Sequence, residues 1–209
     1  MSELRKWEKS KGESFTNSLR EAVLPQLPLR PRLEKTRKAI DIPIIKLEKR
    51  LSKLRTQESE LFNKVANDLK HHEGDLAIAD TYELDEVRKT IVKVMSLKII
   101  LEKVNVKLSN ITQFSDIVSS LVPIMPVVKS VKKRLAETIP ETGSELTEAT
   151  TMLGNLLTEA GSLSGNTIRF EPNSDEAEKI MDEAKSIAES KMNLSFPLLS
   201  QVEQEEEKS

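Results

Sequence analysis

Two adjacent histidines, His71 and His72, stand beside Glu73, Asp75 and Asp80 in the stretch KHHEGDLAIADTYELDEVRK. Imidazoles and carboxylates are common metal ligands, and the same groups serve as general bases. The spacing argues against both uses. Neighbouring residues on a helix point about 100° apart, so adjacent histidines seldom converge on one ion, and the chain has no third histidine and no cysteine. No third group suggests itself to complete a nucleophile–histidine–carboxylate set, and no nucleotide-binding glycine loop appears. Gly74 follows the histidines instead. It is expected to take a left-handed turn conformation, with Asp75 capping the next helix. The stretch reads as an elbow, and the expectation is a chain with no enzymatic activity, no metal and no cofactor.

The elements flanking this elbow are legible from their apolar period. Ile40, Ile44, Leu47, Leu51, Leu54, Leu61 and Val65 recur at steps of three and four, with Glu58 as one polar interruption. Leu84, Val87, Ile91, Val94, Leu101, Val104, Leu108 and Ile111 repeat the pattern on the far side. Each stretch predicts a helix of about 35 to 40 residues, roughly 50–60 Å long. The short connector imposes antiparallel packing, so the pair forms a helical hairpin. Pro43 places the first helix start either near Asp41, as an N-cap, or near Arg32 with a kink. Val92, Met95, Ile99, Ile100 and Val106 fall outside the second seam. One partner helix cannot cover them, which marks them as candidate self-assembly residues.

Downstream, residues 114–135 look helical but carry Pro123 and Pro126, which predict a bend. The next segment reads as a helix opened near Pro140 and stopped by Gly161. A flexible linker follows over 161–173. Asn173 and Glu176 resemble a capping box for a last helix whose stripe is Ala177, Ile180, Met181, Ala184, Ile187 and Ala188. The fold class is therefore all-α: a long antiparallel hairpin with additional C-terminal helices. The organisation divides into an N-terminal arm and Pro-rich lead-in (1–28), a helical core (29–160), the linker (161–173), and an acidic C-terminal helix and tail (174–209).

Composition agrees with rods and not with a compact enzyme. Aromatic residues make up only 3% of the chain, so apolar content must be laid along helices as Leu, Ile and Val stripes. The absence of cysteine excludes disulfides and thiolate zinc sites and fits a reducing cytoplasm. The first residues lack the apolar core of a signal peptide, and the run IVSSLVPIMPVV is too short to span a bilayer. The net charge of −2 conceals an asymmetry. Residues 1–70 hold 17 Lys and Arg against 10 Asp and Glu, whereas residues 141–209 hold 5 against 15. A basic front and an acidic end should attract each other until salt or another surface intervenes.

The lead-in PLRPRLEKTRKAI, LEKRLSKL, the elbow HHEGDLAIADTYELDEVRK, LEKVNVKLSNI and VVKSVKKRLAETIPE resemble, in order and spacing, the ESCRT-III core over residues 29 to 160. More narrowly, the chain is similar to the short paralogues of the archaeal CdvB group in the Cdv cell-division system. The resemblance implies a membrane-remodelling filament subunit that polymerises with itself and with paralogous ESCRT-III-like subunits. It implies a rigid hairpin, later helices that pack on a neighbour, and an acidic C-terminal helix that can fold back. It also implies removal of subunits by a AAA+ ATPase bearing a MIT domain. The chain ends soon after its last helix, leaving no room for the winged-helix-like extension of longer paralogues, so it is expected to join a ring that one of those begins.

Several residues are candidates for these contacts. Leu24, Pro25, Leu27, Pro28 and Pro31 fit a proline-spaced MIT-interacting motif, pre-extended as polyproline II. Such motifs usually lie near the C-terminus, where Phe196, Pro197, Leu198 and Leu199 compete for the role. Leu4, Trp7, Phe15 and Leu19 have helix-like spacing, suited either to membrane insertion or to packing on a neighbour. Residues 30–55 hold ten Lys and Arg against three Asp and Glu, and Arg37, Lys38, Lys46, Lys49, Arg50 and Lys53 are the candidate contacts to an anionic membrane. Without interleaved aromatics, that face is not expected to bind nucleic acid. The expected location is the inner face of the plasma membrane at the division site, peripheral and cytoplasmic. The competing reading is a soluble coiled-coil adaptor that never touches lipid.

Overall fold

The computed structural model describes residues 28–113, 115–164 and 175–196. Within them the chain forms five helices and no strand: α1 (Leu29–Lys70), α2 (Gly74–Ser109), α3 (Ser115–Thr138), α4 (Pro140–Ser164) and α5 (Asp175–Ser195). None is long and apolar enough to cross a membrane.

Helices α1 and α2, of 42 and 36 residues, form the predicted antiparallel hairpin. Every named seam position on α1 and α2 is buried except Ile44, which packs half-buried against the core, and Ile111 is buried just past the end of α2. The register is pinned by polar ties spaced along the rod. Arg37 Nε donates to Asn105 Oδ1 at 2.9 Å, and Asn105 Nδ2 donates to Asp41. Lys98 fills the gap in the α2 seam and reaches Glu48 at 3.1 Å. Glu58, the polar interruption of the α1 seam, receives Arg88 Nε and Nη2 on one carboxylate oxygen at 2.8 and 2.6 Å. Near the elbow Lys64 Nζ lies 2.9 Å from each oxygen of Asp80. Both seam interruptions are thus paired charges, and the buried Glu58 fixes the register because a slipped alignment would leave that ion alone.

The elbow forms differently from the expectation. His72, not Gly74, takes the left-handed conformation, with φ of 60°. Its N–H donates to Leu69 O at 3.1 Å and that of Glu73 to Asp68 O at 2.9 Å, the paired bonds of a Schellman end. The helix ends at Lys70 with His71 as its C-cap, so the left-handed position falls on His72. Gly74 already opens α2, and Glu73, not Asp75, stands at its N-cap.

Prolines interrupt less than expected. Helix α1 starts at Leu29 and runs through Pro43, and α3 continues through Pro123 and Pro126 as one helix. Each internal proline costs about 3 kcal/mol. Helix α3 buries Ile117, Leu121, Ile124, Met125, Val127, Val128, Val131 and Leu135, and each fully buried side chain of this size is worth roughly 1.5–3 kcal/mol. Burial outweighs the lost backbone bonds. Helix α4 begins at Pro140 as predicted but passes Gly161 to end at Ser164.

Helices α3 and α4 make a second, shorter hairpin joined by Ile139 alone. Their close approach requires Gly143, where a Cβ would lie 3.0 Å from backbone atoms of Ala136. Helix α4 packs on α1, and α3 packs on α2. Ion pairs from Arg32 to Glu159 and from Lys46 to Glu145 show that α4 runs antiparallel to α1 over its first half. One continuous apolar core therefore unites all five helices. It is more than the stripes expected of so aromatic-poor a chain, because Leu, Ile and Val from four helices fill it. The elbow end of the rod projects beyond the second hairpin and exposes Leu69, Leu76, Ile78 and Tyr82.

Candidate functional site

Helix α5 packs on α2 and α3. Glu183 meets Lys103 at 2.6 Å, and Phe196, just past the helix end, sits over the Arg88 guanidinium at 5.6 Å from its ring centroid. Helix α5 therefore runs antiparallel to α2 between these anchors. Val92, Met95 and Ile99 fall between them on the same face of α2, at steps of three and four. Lys191 of α5 borders the groove that Met95 and Ile99 line. Three of the five predicted self-assembly residues thus form a stripe beneath α5. Ile100 is buried in the common core, and Val106 remains 60% exposed. The greasy flank expected to need sister copies is shielded here by the chain's own helices.

The covering face of α5 is thin. It buries Ala177, Ile180, Ala184, Ala188 and Met192, with Met181 and Ile187 half-buried. Alanines allow close approach but contribute little apolar area, so the docking is shallow. Arg88 makes the sturdier contact. It lies between the rings of Phe62 and Phe196, at 5.8 and 5.6 Å, while bonded to Glu58. This clasp ties the end of α5 to both arms of the hairpin.

The second candidate surface is the basic part of α1. The attraction between basic front and acidic end takes a different form from the one expected, because α5 lies on α2 and α3 while α4 supplies carboxylates to α1. Lys46 is taken up by Glu145, and Arg37 is turned inward to Asn105. Lys38, Lys49, Arg50 and Lys53 are exposed. The last three line, with Ile139, Pro140 and Thr142, a pocket beside the α3–α4 corner. Lys35, absent from the predicted set, shares this exposure.

Leu4, Trp7, Phe15, Leu19, Leu24, Pro25, Leu27, Pro197, Leu198 and Leu199 lie outside the described residues. Pro28 is extended at ψ 143°. Pro31 is not extended; it sits in the first turn of α1, where its missing N–H has no helical partner to lose. Phe196 is engaged on Arg88, and sequence reasoning missed that contact because nothing local connects residues so far apart in the chain.

His71 and His72 stand exposed at the end of α1, with His71 Nδ1 2.9 Å from Asn67 O. Among the described residues, no group of three His, Cys, Asp or Glu could hold a metal ion. The titratable cluster at the elbow is instead a carboxyl pair. Burial first, then the neighbouring Asp80, hold Asp68 above the ordinary carboxylate range. The hydrogen bond from Lys64 holds Asp80 below it. Asp68 therefore gives up its proton at a higher pH than Asp80 does.

Comparison with known proteins agrees with this architecture. The chain is 30% identical over 172 residues to cell division protein B1 of Sulfolobus acidocaldarius, a match covering 82% of this chain and 80% of that protein. It belongs to the cell division protein B family. Cell division protein B of the same organism is 28% identical over 156 residues, covering 74% of this chain and 59% of that longer protein. No family profile and no solved structure matches the chain. The five-helix, strand-free arrangement of this CdvB-like chain is an all-α, ESCRT-III-like fold.

Proposed function

We propose that this chain is a non-enzymatic filament subunit that assembles on the inner face of the cell membrane and contributes to constriction and scission during cell division. It works without a cofactor and without nucleic acid. Its partners are further copies of itself, paralogous subunits of the cell division protein B family, anionic lipid, and a AAA+ ATPase with a MIT domain that disassembles the polymer.

The observation that carries this reading is the apolar stripe Val92–Met95–Ile99, covered by a helix that holds on through small side chains, Lys103–Glu183 and the Arg88 clasp. Such a cover is well matched to a population shift: when α5 leaves, a face complementary to further copies becomes available. Family membership supports the cellular process. Lys38, Lys49, Arg50 and Lys53 supply the attraction to an anionic leaflet at about 1 kcal/mol each, multiplied along a polymer.

Deleting residues 162–209 should promote assembly on anionic vesicles, read by electron microscopy and by sedimentation with and without liposomes. Unchanged behaviour of the truncated chain would refute the covered-stripe reading. Salt-sensitive liposome binding that is lost on reversing Lys49, Arg50 and Lys53 is the expected result; a chain that does not bind the liposomes at all would favour the adaptor instead.

A further inference from the structure

Exposure on α1 is not purely basic. On its outward face, opposite the seam, Lys35, Lys38, Ile42, Ile45, Lys49 and Lys53 follow one another at steps of three and four, and all are exposed. Ile42 and Ile45 stand 49% and 51% exposed. No carboxylate among the described residues pairs with any of the four lysines of this strip. The acidic residues of the same stretch lie to the side and are engaged elsewhere: Asp41 accepts from Asn105 and Glu48 from Lys98.

We propose that this strip seats on an anionic lipid leaflet with Ile42 and Ile45 entering the headgroup–acyl boundary, and that it is presented while α5 is still closed. The proposal rests on the membrane reading above and adds an apolar contact that salt does not screen. Four lysines with no carboxylate partner among the described residues, flanking two isoleucines, match a surface that is negative outside and apolar just beneath. A helix lying flat reaches that boundary about 5–10 Å deep, while lysine stems extend back to the headgroups. A protein partner fits less well. Two half-exposed isoleucines supply little of the apolar area in the roughly 800 Å² per partner of a stable interface. Because α5 lies on α2 and α3, and not on this face, membrane encounter can precede opening.

The test uses the full chain with vesicles of phosphatidylcholine containing phosphatidylglycerol, at about 0.05 and about 0.5 M NaCl, which bracket strong and weak electrostatic attraction. Wild type should keep part of its binding at high salt. The I42S/I45S variant should lose about tenfold in apparent affinity, mostly in that salt-resistant part, whereas K49E/K53E should lose the low-salt part. If I42S/I45S binds like wild type while K49E/K53E does not, the isoleucine contact is wrong and the membrane reading survives. If wild type ignores the vesicles at both salts, both fail. The chain has no native cysteine, so a polarity-sensitive label on I45C gives a second readout that is independent of the serine variants. It should shift to the blue on these vesicles; a label that stays aqueous while the protein sediments would overturn the proposal.

Discussion

The α1–α2 interface and the α2–α5 interface share one helix but are built from different materials. The hairpin interleaves long aliphatic side chains with polar ties at Arg37–Asn105, Glu48–Lys98, Glu58–Arg88 and Lys64–Asp80. Among the described residues, the α5 contact relies on alanines, the buried Ile180 and Met192, the half-buried Met181 and Ile187, the Lys103–Glu183 pair and the Phe196 cap. The first interface has a unique register and a high penalty for parting. On the reading proposed above, the second detaches as a unit and leaves the rod intact. The chain would then carry a permanent frame and a removable cover, a difference that follows from side-chain size and the placing of charges.

The largest expected effect tests the frame. Glu58 is almost fully buried, with 4% of its side chain exposed. Replacing it by alanine removes the carboxylate that Arg88 donates to and should cost about 3 kcal/mol or more in urea unfolding. The double replacement E58L/R88M should recover most of that loss, because it removes both charges. If E58A alone is harmless, the polar ties do not set the register.

A charge placed under the cover should act locally. Ala184 is fully buried, so A184E cannot keep α5 seated, but the helix need only detach. The cost is then limited to the docking energy, about 2 kcal/mol. Amide exchange should accelerate across 175–196 while α1 and α2 stay protected. Equal acceleration in the hairpin would mean that the two regions are one cooperative unit.

At the elbow, pH discriminates between the members of the carboxyl pair. Asp68 is held above the ordinary range, so its stabilising contribution is present at acid pH and is lost as pH rises through its raised pKa. The D68N variant should match wild type at low pH and become more stable than it as pH rises. Asp80 is held low, so its contribution is present at neutral pH and is lost as pH falls; D80N should destabilise at neutral pH. Denaturation midpoints across the acid range check both signs.

The smallest effects concern the turn itself. His72 occupies a left-handed position, so H72G should gain a few tenths to about 1 kcal/mol. Gly74 has open space where the methyl group of an alanine would stand and needs no special conformation, so G74A should be neutral to slightly stabilising. A marked loss on G74A would restore glycine as the hinge.

How much of this was legible follows from what each feature depends on. The seams were readable because a period of three and four is written in consecutive residues, and Glu58 stood out as the one polar member of the first. The continuity of α3 was not, because proline signals a break locally while the burial that overrides it comes from α2, α4 and α5. Helix α5 was readable as a helix but not as the lid on Val92, Met95 and Ile99, since that register depends on a contact closed across the whole core. Ile42 and Ile45 were hidden within IDIPII: Ile40 of the same run is fully buried, and only the phase of α1 against its partners turns the other two outward.

The most direct measurement is sedimentation velocity of the full-length A184E variant beside wild type at matched concentration, with amide exchange confirming that α5 is released. Large assemblies are expected for the variant where wild type remains small, together with loss of those assemblies when Met95 and Ile99 are also made polar. A variant whose α5 is free and which nonetheless sediments as a single small species would contradict the removable cover.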